Sequence, residues 1–198
     1  MRELTTIPDK QRKTMEAAFK KRGSLIAQRD QLEAALEQAP SGAKEKILKD
    51  ELSKVYGRIN EQSRQIGEQA AEAVMKGEGG KKIYPIGKPY STSGDFDQVW
   101  KVGGEFHIIE AKGGSSGLGS RAVGEGVRAE QGTIEYAKSI AENMAKHGAT
   151  KEIRQLGDDL LAAIVKGNFK YILVRAPIGE ELGTVVLRDV KVSEFVMK

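Results

Sequence analysis

The chain has no cysteine and only two histidines among its 198 residues. Without cysteine there is no disulfide framework, no thiolate nucleophile and no cysteine-ligated metal site. His107 and His147 lie far apart in sequence, so we do not expect a zinc centre. No apolar run is long enough to cross a bilayer and no signal peptide opens the chain, so we expect no membrane span.

An excess of charge of one sign is also lacking. The chain has 32 lysines and arginines and 28 acidic residues, which leaves a net charge of +4. Such a weakly basic balance permits nucleic-acid binding but does not require it. The 39% hydrophobic and 30% charged residues are typical of a globular protein, and the length fits one domain plus an appendage.

Two long helices are predicted in the N-terminal part, at residues 9–38 and 43–75, with a break at Pro40-Ser41-Gly42. The second helix has a heptad-like seam formed by Leu48, Leu52, Val55, Ile59, Gln62, Ile66, Gln69 and Ala73. This spacing favours an antiparallel coiled coil. We therefore divide the chain into a helical hairpin at residues 1–78 and a second domain at 79–198. The hairpin is interpreted as a spacer, a docking or delivery arm, or a DNA-gripping arm.

The second domain is predicted to be α/β, with a mixed sheet flanked by helices. The pattern predicts strands at 82–86, 96–102, 106–109, 169–175 and 183–192, a Gly/Ser-rich loop at 113–126, and helices at 128–147 and 151–166. The strongly apolar strand at 169–175 is expected to be central in the sheet and parallel to the strand at 106–109.

Gly103-Gly104 predicts a two-residue hairpin turn, because glycine tolerates the positive φ that this turn needs. Facing residues then have numbers that sum to 207, which puts Asp97 opposite Glu110 and Asp95 opposite Lys112. Side chains alternate between the two faces of a strand. Asp97, Glu110 and Lys112 are therefore expected on one face.

Two directly opposed carboxylates repel each other, so stability alone does not select Asp97 and Glu110. A divalent cation between them removes the repulsion, and Mg²⁺ prefers oxygen ligands together with water and substrate phosphates. Lys112 is then placed to stabilise charge in a transition state. This pattern indicates metal-assisted cleavage of a phosphodiester; the alternative is an ordinary exposed, charged hairpin face.

Asp97 followed by Glu110-Ala111-Lys112 at the end of a hydrophobic strand resembles the PD-(D/E)xK nuclease superfamily, which has the restriction-endonuclease-like fold. The sequences EAKGGSSGLGSR at 110–121 and QGTIEY at 131–136 resemble nuclease domains of bacterial polymorphic toxins, which contact-dependent inhibition or type VI secretion systems deliver. The resemblance covers residues 84–176. The chain departs from the pattern at Phe96, where the family motif has proline.

The resemblance implies that Asp97 and Glu110 bind Mg²⁺ or Mn²⁺, that Lys112 is the catalytic lysine and that Gln131 is an auxiliary active-site residue.

The same resemblance implies a further acidic ligand from the helix before the first strand. Glu68 and Glu72 are the candidates, and Glu72 is nearer the strand in sequence. Asp95 is either another metal ligand or the ion-pair partner of Lys112.

The loop at 113–126 is interpreted as a substrate loop, since glycines let backbone N–H groups approach a phosphate and an arginine can hold it with two hydrogen bonds. Ser115, Ser116, Arg121 and Arg128 are the candidate substrate-binding residues. The simpler alternative is a flexible connector. Arg175 is expected either to face the site or to be a strand-edge charge.

We therefore expect a metal-dependent nuclease, and specifically an interbacterial DNase toxin with DNA favoured over tRNA as its substrate. The resemblance further implies a cognate immunity protein, and delivery into the cytoplasm of a target bacterial cell. Three alternatives remain open: a tRNA-cleaving toxin of the same fold, a housekeeping repair or junction-resolving nuclease, and a helical adaptor with an inert α/β domain.

Overall fold

The computed structural model describes residues 2–4, 9–87, 91, 94–124, 126–181, 184–187 and 190–196. The helices are α1 (Asp9–Glu37), α2 (Ala43–Gly77), α3 (Ile134–His147) and α4 (Lys151–Lys166). The strands are β1 (Arg2–Leu4), β2 (Lys81–Tyr84), β3 (Gln98–Val102), β4 (Glu105–Gly113), β5 (Ser120–Gly124), β6 (Val127–Glu130), β7 (Phe169–Ala176), β8 (Ile178–Glu181), β9 (Thr184–Leu187) and β10 (Val190–Glu194).

The central sheet has six strands in the order β1-β10-β7-β4-β3-β2, while β5–β6 and β8–β9 form separate two-stranded ribbons. β4 and β7 run parallel, and the other neighbours in the sheet run antiparallel. β7 lies between β4 and β10 and is almost continuously apolar, as expected for a strand covered on both faces. The α/β class, the mixed sheet and the two N-terminal helices are therefore confirmed.

Helices cover both faces of this sheet. On one face, apolar side chains of α1 and α2 pack in the same cluster as those of the strands, for example Phe19 and Ile66 with Ile109 and Val174. On the other face, side chains of α3 and α4 form a second cluster with Val99, Ile108 and Tyr171 of the strands. The two clusters lie on opposite sides of β3 and β4, so successive apolar side chains of these strands pack into alternate clusters.

The helical hairpin begins and ends close to the predicted residues. Leu25, Val55 and Ile59 form a small apolar cluster between its two helices. The C-terminal half of α2, by contrast, packs on the sheet, and its buried residues include Ile66, Ala70 and Val74. The division at residue 78 stays a prediction; the core itself is continuous between the hairpin and the sheet.

The prediction for residues 113–133 was wrong in two respects. Part of the expected loop forms β5, and the expected start of the helix forms β6; the two strands pair antiparallel. α3 begins only at Ile134, because the Thr133 side chain caps it by accepting a hydrogen bond from the backbone N–H of Tyr136. Gly132, with φ of 94°, ends the preceding strand in a backbone conformation that favours glycine.

The C-terminal region also differs from the prediction of one strand at 183–192. The chain forms β9 and β10 there, and β8 was not predicted; residues 183 and 188–189 lie outside the described residues. β7 runs parallel to β4, as predicted, with Lys112 and Arg175 as register partners. No helix in the described ranges is long and apolar enough to cross a membrane.

Candidate active site

The β3–β4 hairpin has the predicted register. Trp100 pairs with His107 and Gln98 with Ile109, and both turn glycines have positive φ, 56° for Gly103 and 89° for Gly104. Asp97 directly precedes β3, so the same register brings it opposite Glu110. The sequence therefore determines this juxtaposition through a short turn.

The carboxyl groups of Asp97 and Glu110 line the same cavity and lie close enough for their charges to repel each other. Asp97 Oδ2 also accepts a hydrogen bond of 2.8 Å from the backbone N–H of Ala111. Lys112 Nζ lies 2.7 Å from Glu110 Oε1, with the Glu110 side chain almost completely buried. Two acids and one base thus lie together at the end of β4, with Glu110 buried and with Asp97 and Lys112 half-buried.

Burial is the main cause of the raised pKa values of Asp97 and Glu110. It raises the pKa of Glu110 to about 8, with repulsion by Asp97 adding to the rise and Lys112 opposing it. Burial also raises the pKa of Asp97, against the stabilising hydrogen bond from Ala111. The pair therefore retains a proton near neutral pH unless a cation takes its place.

Glu68 on α2 is a third carboxyl group near this pair. Its side chain is 1% exposed and is paired with Arg64, while its Oε2 atom has no hydrogen-bond partner in the described part of the chain. Burial, followed by repulsion from Asp97, raises the pKa of Glu68 to about 7. Its backbone oxygen accepts a hydrogen bond of 2.7 Å from Gln98 Nε2, which ties α2 to β3.

Glu72, the other candidate from the same helix, is placed elsewhere. It forms ion pairs with Lys76 at 2.6 Å and with Lys82 at 3.0 Å. Neither Glu72 nor Glu68 lines the cavity, but Glu68 is near enough to Asp97 for their charges to repel. One helical turn therefore separates the two candidates into different surroundings, and the geometry favours Glu68.

A cavity of about 750 Å³ opens onto the paired carboxyl groups. Its floor includes Asp97, Glu110 and Lys112, and one wall is made by α2. Residues of the segment between β4 and α3 also line the cavity, with Arg121 and Gln131 among them. The site is therefore a cleft between the helical hairpin and the loop that follows β4.

Two of the four predicted substrate-binding residues line this cavity. Ser116 does so while its hydroxyl donates a hydrogen bond of 3.0 Å to Gly113 O, and Arg121 does so while Nη1 donates one of 3.0 Å to Gly94 O. The Arg121 guanidinium also lies 5.9 Å from the ring centre of Tyr136. The Arg121 side chain makes no other hydrogen bond in the described ranges, which leaves most of its donors available to a ligand.

The other two substrate-binding candidates are not brought to the cavity. Ser115 is exposed in the turn after β4. Arg128 donates to the hydroxyl and carbonyl oxygens of Ser120 at 3.0 and 2.8 Å, so it ties β6 to β5. Arg175 likewise does not line the cavity, but its Nη1 donates a hydrogen bond of 2.8 Å to Ser116 O, which anchors the loop.

Gln131 lies in the turn before α3 rather than in the helix. Its Oε1 accepts a hydrogen bond of 2.6 Å from the backbone N–H of Gly119, and its Nε2 donates one of 3.3 Å to the hydroxyl of Tyr136. Gln131 therefore joins the loop to the start of α3 at the cavity wall.

Asp95 lines the cavity as well. It accepts a hydrogen bond of 2.7 Å from the hydroxyl of Tyr84. The described ion-pair partner of Lys112 is Glu110 rather than Asp95.

Sequence reasoning missed the contribution of α2 to the cavity wall. Asn60, Glu61 and Arg64 line it, and Arg64 is paired with both Glu61 and Glu68. The signal was present, since acidic residues three before and four after an arginine lie on one side of a helix. Such pairs are common on exposed helices, so the sequence alone does not mark this one as part of a site. Its place beside Asp97 is seen only in the structure.

The donor set fits a divalent cation only in part. Across the described residues, no three histidine, cysteine, aspartate or glutamate side chains lie close enough to hold a metal ion together. Asp97 and Glu110 lie near each other, and the raised pKa values of both carboxyl groups indicate a place where added positive charge would be favoured. Mg²⁺ commonly uses one or two carboxylates, with water and substrate phosphates completing its shell, so two acids are within the number of protein ligands that such an ion uses.

Comparisons with protein families, with curated proteins and with solved structures give no match to this chain.

Proposed function

We propose that the protein is a Mg²⁺-dependent nuclease that hydrolyses phosphodiesters by attack of water. The observation that carries this proposal is the close approach of Asp97 to the buried Glu110 at one cavity, with Lys112 at 2.7 Å from Glu110. A pair of mutually repelling, buried acids is costly for folding. A functional requirement for a cation explains why this pair of acids is present.

The arrangement of elements supports a restriction-endonuclease-like fold. The antiparallel β3–β4 pair carries the acids, β7 lies parallel to β4, and helices cover both faces. The cavity lies at the end of β4, where the chain passes into the Gly/Ser-rich segment. This is the position at which the motif that includes Glu110 and Lys112 would meet a phosphate.

In the proposed reaction, Asp97 and Glu110 would hold the cation, and Mn²⁺ would serve as Mg²⁺ does. When bound, the metal supplies polarisation of the phosphate and a lowered pKa for a bound water. Lys112 donates hydrogen bonds to the phosphate as negative charge develops on it. Gln131 and Ser116 keep the wall of the cavity in place, and Arg121 binds a non-bridging phosphate oxygen.

DNA is the proposed substrate, in preference to tRNA. We further propose that the protein acts as an interbacterial toxin in the cytoplasm of a target cell, and that a cognate immunity protein blocks its cavity. Both proposals rest on the resemblance of residues 110–121 and 131–136 to toxin nuclease domains.

The test is cleavage of supercoiled plasmid and of total tRNA by the purified protein, with Mg²⁺ or with EDTA. We expect plasmid cleavage that needs Mg²⁺ and is absent from Asp97→Ala. Asp158→Ala, at an exposed position of α4, is the matched control. Cleavage of tRNA alone would replace DNA by RNA as substrate. Equal cleavage by wild type and Asp97→Ala, or none by either, would refute the assigned site.

The toxin role needs a second experiment. Expression of the wild type inside bacterial cells is expected to arrest growth with loss of DNA, whereas Asp97→Ala is expected to be tolerated. A cleaving protein that does not arrest growth would instead favour a housekeeping nuclease.

A further inference from the structure

Arg64 on α2 holds two carboxylates with two different edges of its guanidinium group. Nε and Nη2 donate to the two oxygens of Glu61 at 2.9 and 2.8 Å. Nη1 is hydrogen-bonded to Glu68 and lies 3.4 Å from Ser91 O. The first edge forms the two parallel hydrogen bonds with which arginine also binds phosphate.

The two edges differ in how firmly their partners are held. The Glu68 side chain is 1% exposed, so breaking its ion pair with Arg64 would leave a buried charge without its partner. The Glu61 side chain is 44% exposed, so its pair with Arg64 contributes little to stability. The guanidinium is therefore anchored on its inner edge and exchangeable on its outer edge.

The outer edge of the Arg64 guanidinium is placed where it can bind a ligand in the candidate active site. Arg64 and Glu61 line the cavity that also contains Asp97, Glu110 and Lys112. Arg64 is also close enough to stabilise the charge on Asp97. A polyanion that entered the cavity would meet Glu61 as a repelling group and Arg64 as an attracting one.

We propose that the Nε/Nη2 edge of Arg64 is a phosphate-binding subsite of this cavity, and that Glu61 occupies it in the unbound protein in place of a phosphate. This inference rests on the proposed nuclease function and adds the ligand class of the α2 wall: a backbone phosphate next to the scissile one. When phosphate displaces Glu61, the carboxylate keeps its 2.7 Å hydrogen bond from Gln65 and stays within the attraction of Lys21. The α2 wall is thereby part of the substrate site.

Binding of a fluorescein-labelled DNA oligonucleotide, single-stranded and duplex, tests this subsite. All proteins carry Asp97→Ala and the buffer contains EDTA, so that cleavage does not interfere. We expect Glu61→Gln to tighten binding about three- to tenfold, because the competing carboxylate is removed. The control Glu45→Gln removes the same charge from the same helix, where Glu45 pairs with Lys49 at 2.6 Å, and is expected to change binding less than twofold.

A second substitution separates subsite binding from simple repulsion. Arg64→Lys keeps the charge but cannot make the two parallel hydrogen bonds, so the gain from Glu61→Gln is expected to vanish in its presence. A gain that persists with Arg64→Lys, or no gain at all, would overturn the subsite. Thermal unfolding of each variant verifies that it is folded, and the exposed Glu61→Gln is expected to fold normally.

The remaining outcomes identify the ligand and separate this inference from the proposed function. Inorganic phosphate alone is expected to bind far more weakly than the oligonucleotide, and equal binding would overturn the assignment to nucleic acid. A protein that cleaves DNA but shows no coupling between Glu61 and Arg64 would lose the subsite and keep its function. A protein that neither binds nor cleaves DNA would lose both.

Discussion

Gly67 of α2 lies against Gly113 at the end of β4, backbone to backbone. A Cβ atom on Gly67 would be 2.7 Å from Gly113 N, and one on Gly113 would be 1.9 Å from Ser63 O. Only glycine allows this approach. The contact fixes the height and rotation of α2 against β4, and with them the places of Arg64 and Glu68 beside Asp97.

Gly67→Ala is therefore expected to destabilise the protein by more than about 2 kcal/mol, because α2 must move away from β4. On the same helix, a Cβ atom added to Gly57 would meet nothing within 4 Å, so Gly57→Ala is expected to stabilise by about 1 kcal/mol through helix propensity. Urea unfolding followed by circular dichroism measures both. Equal effects from the two substitutions would contradict a close contact at Gly67.

Stability is expected to fall as pH rises from about 5.5 to 8.5 in metal-free buffer. The pKa values of Glu68 and Glu110 are raised in the folded state, to about 7 and about 8. In this window the folded protein binds more protons than the unfolded chain, so the stabilisation present at low pH is lost as pH passes through these values. One such proton changes the unfolding free energy by about 1.4 kcal/mol per pH unit.

Denaturant unfolding at several pH values measures this slope, with and without Mg²⁺. Glu110→Gln is expected to flatten it, since glutamine does not titrate, and Mg²⁺ is expected to stabilise the wild type more at pH 8.5 than at pH 5.5. Stability that rises with pH across this window would show that the carboxyl groups are not protonated in the folded state.

Lys112→Gln is expected to lower kcat for plasmid cleavage about 100-fold or more, because a charged donor at the developing phosphate charge is lost. Lys170, whose nearest described partner is Glu105 at 3.8 Å, lies away from the cavity, and Lys170→Gln is the matched control. Cleavage rates at saturating substrate measure the effect. A Lys112 variant as active as the Lys170 variant would remove the lysine from the proposed reaction.

Arg121→Ala and Arg128→Ala are expected to differ although the residues lie on paired strands. Arg121 lines the cavity, whereas Arg128 does not line it and is held by its two hydrogen bonds to Ser120. We expect kcat/KM to fall about tenfold or more for Arg121→Ala and less than twofold for Arg128→Ala. Steady-state cleavage of an oligonucleotide gives both values, and the reverse order would exchange the roles of the two arginines.

Local signals predicted the hairpin of β3 and β4 and the two long helices. The turn at Gly103-Gly104 and the alternation of apolar residues were enough to fix the register, because hairpin pairing depends on neighbours in sequence. The start of α3 was predicted too early. The short polar stretch before Thr133 has no strong preference for helix or strand, and it paired with β5 instead. Packing against the rest of the chain decided its conformation.

The sequence by itself determined that Asp97, Glu110 and Lys112 share one face, since a two-residue turn leaves no freedom in which residues oppose each other. Only the tertiary structure decided that Glu68 rather than Glu72 lies beside them, and that Arg64 faces the same cavity. Those choices depend on the rotation of α2, which is set by its contact with Gly113, a residue far along the chain. Local patterns give a helix its faces, but the packing partner determines which face meets the site.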